Sequence, residues 1–112
     1  MAEPIRINVV TLFPEVFGPW LDASIIGRAR AEGRVEFRLV QLRDFTHDRH
    51  HTVDDYAFGG GAGMVLKPEP VFEAVETVLG EDLGAVPVIL LTPQGHVFDQ
   101  ALAAGLTAYP RL

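Results

Sequence analysis

The sequence contains no cysteine, which removes both a disulfide framework and a thiolate metal site and suits a reducing compartment, here expected to be the cytoplasm. It also has no apolar run approaching the ~18 residues a membrane span needs. Its first ten residues, MAEPIRINVV, carry an acid where a secretory signal would carry its positive charge. The expectation is a soluble chain with no membrane association. A basic excess is missing as well. The net charge is −6, with eight Lys or Arg against nine Asp or Glu through position 68 and one Arg against six acids after it. A general polyanion binder announces itself by a basic patch, so any case for RNA must rest on particular residues. What is present is enough apolar material for one core: 112 residues, 48% hydrophobic, with a mean hydropathy of +0.20.

The apolar spacing alternates between two periods. IRINVVTLF (5–13) is rich in β-branched residues and halted by Pro14, which predicts a strand running into a turn. Phe17, Trp20, Leu21, Ile25 and Ala29 recur at helical steps, interrupted by Pro19 and Gly27. Two short helices meeting near Asp22-Ala23-Ser24 are expected, with Ser24 as N-cap and Gly33 as the stop. VEFRLVQL (35–42) alternates as a strand does, and PEPVFEAVETVLG (68–80) opens with proline and acids and ends at glycine as a helix does. VPVILLT (86–92), nearly continuous in apolar residues, predicts a central strand covered on both faces. An alanine-rich helix follows from Phe98 to about Thr107.

This β-α-β-loop-α-β-α order predicts an α/β fold, a parallel sheet with flanking helices joined by right-handed crossovers. Ligands in such sheets bind beyond the carboxyl ends of the strands. The segments leaving those ends are TLFPE, QLRDFTHDRHHTVDDYAFGGGAGM and LLTPQG, so the unusual sequence gathers at one edge. The second of them, residues 41–64, exceeds the ~12–15 residues that a compact domain leaves without a use.

Within that segment, residues 47–55 hold three histidines and three aspartates. Imidazole and carboxylate are suitable metal donors, but His47-x-x-His50 matches no established metal motif, and the alternative is a solvated loop whose histidines hydrogen-bond locally. Residues 59–63 hold four glycines. They lack the Gly-Lys-Ser/Thr ending of a P-loop and start too far from the preceding strand for a dinucleotide fingerprint. What they permit is positive φ or close approach by another backbone, a planar base or a second subunit, against the alternative of a plain hinge. Arg28, Arg30 and Arg34 are candidates for phosphate contact.

FPE-x-F near the start, then RDFTHDRHHTVDD, FGGGAGM and LTPQG, in this order and spacing, resemble the N-terminal half of the bacterial tRNA (guanine-37-N1)-methyltransferases. These belong to the SPOUT class, with a trefoil knot. The similarity runs from about Ile7 through Gln100. It implies a homodimer that transfers the methyl of S-adenosylmethionine to N1 of the guanine 3′ to the tRNA anticodon. It implies that Leu91, Thr92, Pro93, Gln94 and Gly95 form the first of three cofactor loops. Arg43, His47, Arg49, His50, Asp54 and Asp55 would shape the rim that tRNA approaches, with Gly59, Gly60 and Gly61 near the substrate side of the pocket and the dimer interface. Family members continue with further cofactor loops and a C-terminal domain supplying a catalytic aspartate. Residues 1–112 are therefore expected to be the N-terminal portion of the methyltransferase domain, truncated before the knot is completed, with the C-terminal domain absent and no catalytic residue in this chain. A non-catalytic RNA-binding or dimerisation module is the alternative.

Purified, untagged protein is expected to carry no stoichiometric zinc, nickel or manganese on His47, His50 and His51. Elemental analysis finding an equivalent of metal that disappears in His50→Ala would contradict this.

Overall fold

The computed structural model describes residues 3–57 and 60–112. Its organising element is a parallel pair of strands. Strand β1 (Ile5–Thr11) and strand β2 (Val35–Gln41) align residue for residue from Ile5 opposite Val35 to Thr11 opposite Gln41. The crossover between them passes a 3-10 turn at Pro14–Val16 and two short helices, α1 (Gly18–Asp22) and α2 (Ser24–Ala31). Alternate residues of a strand face opposite sides. Val10 and Val40 therefore share the face covered by helix α3 (Pro68–Leu79), while Val35 and Phe37 line a cleft with Gly27, Arg30 and Ala31 of α2.

The junction of α1 and α2 differs in detail from expectation. Ala23, with φ −92° and ψ 142°, holds the N-cap place, and Ser24 lies inside the helix at φ 50° with no capping hydrogen bond from its side chain. The helices meet so closely that a Cβ on Gly27 would stand 2.2 Å from the Asp22 carbonyl oxygen. Only glycine permits that approach. Arg30 then ties the corner, its Nη1 donating to the Leu21 carbonyl at 3.0 Å and to Asp22 Oδ1 at 2.7 Å. The expected stops at Gly33 and Gly80 are found.

The described residues of segment 41–64 form more than a connector. They include a 3-10 turn at Leu42–Phe45 and a strand β3 (Asp54–Tyr56) paired antiparallel with β4 (Met64–Leu66). Local turn and hairpin hydrogen bonds satisfy backbone that apolar periodicity alone assigns to nothing. Helix α4 (Gln100–Leu106) begins at an Asp99 cap whose carboxylate accepts from the Leu102 N–H at 2.8 Å.

The expected central strand at 86–92 is the main correction. Among the described residues this segment joins no β-ladder, and Val88, Ile89, Leu90 and Leu91 stay 50–91% exposed. The edge of β1 away from β2 pairs with the chain's last residues at Arg6 and Asn8. Arg6 N–H donates to the Pro110 carbonyl, Asn8 N–H to the Leu112 carbonyl, and Leu112 N–H to the Arg6 carbonyl, at 2.8–2.9 Å. A strand without a hydrogen-bonded neighbour has no ladder to join, whatever its hydropathy.

The most deeply buried cluster is Leu42, Val53 and Ala74, with Val10, Leu12, Phe45 and Val71 packed around it. It joins the start of the long segment, its middle, and helix α3. Leu42→Ala is expected to cost about 2–3 kcal/mol, as for other aliphatic truncations in packed cores. Phe72→Ala, at a position 64% exposed, is expected to stay within about 0.5 kcal/mol. Urea denaturation with an unchanged slope checks both.

Candidate functional site

The loop leaving β2 is held by its own polar side chains. Gln41 starts the arrangement: its Nε2 donates to the Leu12 carbonyl beyond the end of β1 at 3.2 Å, and its Oε1 accepts from the Arg43 N–H at 3.1 Å. Two of the three segments predicted to leave strand ends are thereby joined. The Arg43 guanidinium turns back to donate to the His51 carbonyl at 3.0 Å. Thr46 Oγ1 donates to the Arg43 carbonyl at 2.6 Å and stands 3.0 Å from His51 Nδ1. A hydroxyl has one proton to give, so the imidazole Nδ1 carries the hydrogen of that second contact. His51 itself sits at φ 51°, in the left-handed region, an uncommon conformation for a non-glycine residue that these contacts hold in place.

Asp48 closes the turn. Its Oδ1 accepts from the Thr52 N–H at 2.9 Å and its Oδ2 from the Thr52 hydroxyl at 2.6 Å. The side-chain bond from Thr52, followed by the backbone bond, holds the Asp48 carboxyl below the usual aspartate range. His47 reaches across to helix α3, its Nε2 2.7 Å from Glu73 Oε2. Val53, 1% exposed, anchors the far end in the core, and its carbonyl accepts from the Lys67 N–H at 2.7 Å.

The expected rim residues therefore separate into two groups. The guanidinium of Arg43 and the ring of His47 are engaged within the protein, whereas the side chains of Arg49 and His50 are exposed and make no hydrogen bond among the described residues. Asp54 and Asp55 open β3, both exposed, opposite Leu66 and Val65. The Asp55 carboxylate accepts from the neighbouring Tyr56 N–H at 2.7 Å. Gly60 and Gly61 lie in the turn between β3 and β4, and Gly59 lies outside the described residues. Gly60 adopts φ 78° with open space where a Cβ would stand, so backbone conformation and not crowding selects glycine there.

Leu91–Gly95 form a separate exposed turn, with the Gly95 N–H donating to the Thr92 carbonyl at 3.2 Å and the Gln94 N–H to Thr92 Oγ1 at 3.3 Å. No hydrogen bond among the described residues joins this turn to the loop at 41–56. Of the three arginines singled out for phosphate, Arg30 is paired with Asp22 and Arg34 with Glu32 at 2.8 Å, which leaves Arg28 without an acidic partner among the described residues. No group of three or more His, Asp or Glu among the described residues is placed to hold a metal ion, and no helix is long and apolar enough to cross a membrane. Sequence reasoning missed Glu73 and Thr52. Glu73 carries no local signal, being 26 residues from its partner. Thr52 did carry one, as the hydroxyl four residues after an aspartate in a turn-rich stretch.

Against known structures, the chain superposes on the crystal structure of tRNA (m1G37) methyltransferase from Aquifex aeolicus with a TM-score of 0.85 at 35% identity, over 98% of this chain and 49% of that one. The fold is the N-terminal part of an α/β methyltransferase of the SPOUT class. A family model described as tRNA (Guanine-1)-methyltransferase TrmD matches residues 5–112, and the chain belongs to that family. Among curated relatives, the tRNA (guanine-N(1)-)-methyltransferase of Clavibacter sepedonicus is 55% identical over 96% of this chain and 46% of that protein. The protein of the same name from Dehalococcoides mccartyi strain CBDB1 is 52% identical over 96% of this chain and 44% of its own length. The chain thus spans less than half the length of these relatives.

A carboxyl whose pKa is lowered on folding contributes stability above its unfolded value and loses it as the pH falls through the folded one. In acid titration followed by carboxyl NMR, Asp48 is expected to titrate with a midpoint below the ~3.9 of an unstructured aspartate. Thr52→Val, which removes the hydroxyl that lowers it most, should move that midpoint upward. An unchanged midpoint in the variant would show that the Thr52 hydroxyl does not stabilise the charge.

Proposed function

We propose that residues 1–112 form the N-terminal portion of the methyltransferase domain of a cytoplasmic, homodimeric enzyme that methylates N1 of guanine 37 in tRNA with S-adenosylmethionine. The observation that carries this reading is the identity of 52–55% to proteins named tRNA (guanine-N(1)-)-methyltransferase over 96% of the chain. The Aquifex aeolicus neighbour, a tRNA (m1G37) methyltransferase, supports the position of the modified base.

The cofactor supplies an electrophilic methyl group. This chain's part is to bind and orient. Leu91–Gly95 offer backbone carbonyls and N–H groups, and in Leu91 an apolar side chain suited to one face of an adenine. The turn is exposed, and the apolar cleft beside it ends at Leu90. The residue types fit one wall of a cofactor pocket, and one wall supplies few of the convergent contacts that binding needs. The 112-residue chain alone is therefore inactive in this reading, and the base that removes the guanine N1 proton is contributed from outside it. Arg49 and His50 are the rim groups available to phosphate, while Arg43, His47 and Asp48 fix the shape of the loop that presents Asp54 and Asp55.

The test is a chimera in which these 112 residues replace the matching part of the Clavibacter sepedonicus relative, assayed with labelled S-adenosylmethionine and tRNA transcripts bearing G37 or A37. Methylation of the G37 transcript alone is expected. Asp54→Asn, Asp55→Asn and Gly60→Val should each lose most of the activity, the two Asp variants with melting temperatures within what a change of about 0.5 kcal/mol produces, and Gly60→Val with about 1–2 kcal/mol of added strain from a β-branched residue at positive φ. Arg28→Ala should weaken tRNA binding and flatten its salt dependence. Full activity in all three loop variants would make the loop a solvated connector. An inactive chimera, together with tRNA binding by the 112-residue chain alone, would favour a non-catalytic RNA-binding module.

A further inference from the structure

Residues 47–51 are all exposed, so burial holds none of them in place. Their polar contacts with Arg43, Thr46 and Thr52 fix the internal shape of the turn. Shape is not orientation. The turn is tied to the body of the molecule at its two ends, through Leu42 on one side and Val53 on the other, both in the cluster that contains Ala74 of α3. Two fixed points define an axis, and a rigid turn still swings about an axis until a third point stops it. Among the described residues, one hydrogen bond from residues 46–52 reaches outside the loop: His47 Nε2 to Glu73 Oε2, at 2.7 Å.

Glu73 is suited to be that third point. It precedes Ala74, which is 0% exposed, so its backbone is held by the core. A carboxylate only accepts, which places a hydrogen on His47 Nε2. Helix α3 offers Glu73 no other partner. The residues three and four positions away are Glu69, Pro70, Glu76 and Thr77, so no Lys or Arg pairs with it along the helix and two like charges oppose it. Among the described residues its carboxylate is engaged by His47 alone.

We propose that Glu73 is a positioning residue: acting through His47, it stops the swing of the turn and so sets the direction in which Arg49 and His50 meet tRNA phosphate. This rests on the reading of the loop as a rim that tRNA approaches. The sign of the effect sets the assignment apart from bulk charge. RNA is a polyanion, so removing a carboxylate from a protein that binds it ordinarily strengthens binding. Removing this one weakens it, because the competent orientation becomes a fraction of the population and the apparent affinity falls by that fraction. An exposed pair biases an equilibrium only modestly, which bounds the loss at about fivefold.

The experiment uses the chimera with the Clavibacter sepedonicus relative. Its tRNA affinity is measured directly by filter binding at one fixed salt concentration without cofactor, and the active fraction of each variant is titrated. Glu73→Ala is expected to weaken binding by about threefold to fivefold. Glu73→Gln, which loses the charge but keeps an acceptor for His47 Nε2, should recover at least the parent affinity. Glu76→Ala, a charge control on the same helix, should bind as tightly as the parent or more so. His47→Ala should match Glu73→Ala, and the double variant should be no weaker than either. Loss of folded protein lowers the active fraction and not the affinity, so a merely structural role gives none of this pattern. Unchanged or tighter binding by Glu73→Ala, a Gln variant no better than the Ala variant, or additive losses in the double variant would each overturn the proposal. A parent chimera that binds tRNA without methylating it would sink the catalytic reading and leave this pattern to be read. One that methylates while Glu73→Ala binds at parent affinity would sink the positioning role alone, and one that binds no tRNA would sink both.

Discussion

The crossover helices and the start of the long loop are positioned by the seven-residue parallel pairing of β1 and β2. Parallel strands cannot be joined by a tight turn, so their pairing demands a crossover, and the crossover here is compressed into two short helices. The compression succeeds because Gly27 lets α2 approach the Asp22 carbonyl and Arg30 fastens the corner. The return is that both strands finish side by side. Gln41 can then bind the backbone beyond the end of β1 and the backbone after its own strand at once, and the long loop leaves from a fixed point.

That loop is rigidified by a different economy from that of the core. Between Arg43 and Thr52 the hydrogen bonds span eight residues or fewer, apart from the reach of His47 to Glu73, and Phe45 alone packs inward against the core cluster. Each exposed bond contributes little alone. Together they determine one backbone path, including the left-handed turn at His51, and Val53 secures that path to helix α3 through burial. A surface built in this way keeps its shape while leaving Arg49, His50, Asp54 and Asp55 toward solvent.

The elements that sequence reveals are those whose periodicity and stop signals agree: β1, β2, α3 from Pro68 to Gly80, and α4. The run 86–92 misleads for a physical reason. Continuous hydrophobicity reports that a segment belongs in a sheet centre, whereas a strand exists only where a neighbour supplies hydrogen bonds, and that information is not local. Ser24 misleads on a smaller scale, since cap preference marked the break correctly but the tight corner at Gly27 moved the cap to Ala23. For the candidate site, the resemblance of RDFTHDRHHTVDD and GGGAGM singled out this loop. It could not tell which side chains hold the loop and which face outward, because Glu73 lies on another element and the inward turn of Arg43 depends on the carbonyl orientation that His51 adopts.

The run from Val86 to Thr92, exposed from Val88 onward, also governs how this chain behaves in a crowded solution. It is seven residues long, uncharged and rich in β-formers, interrupted by one proline near its start, which is the composition of segments that stack into cross-β fibrils. Solubility at high concentration is then set less by the chain's net charge of −6 than by how long one bare strand edge stays uncovered.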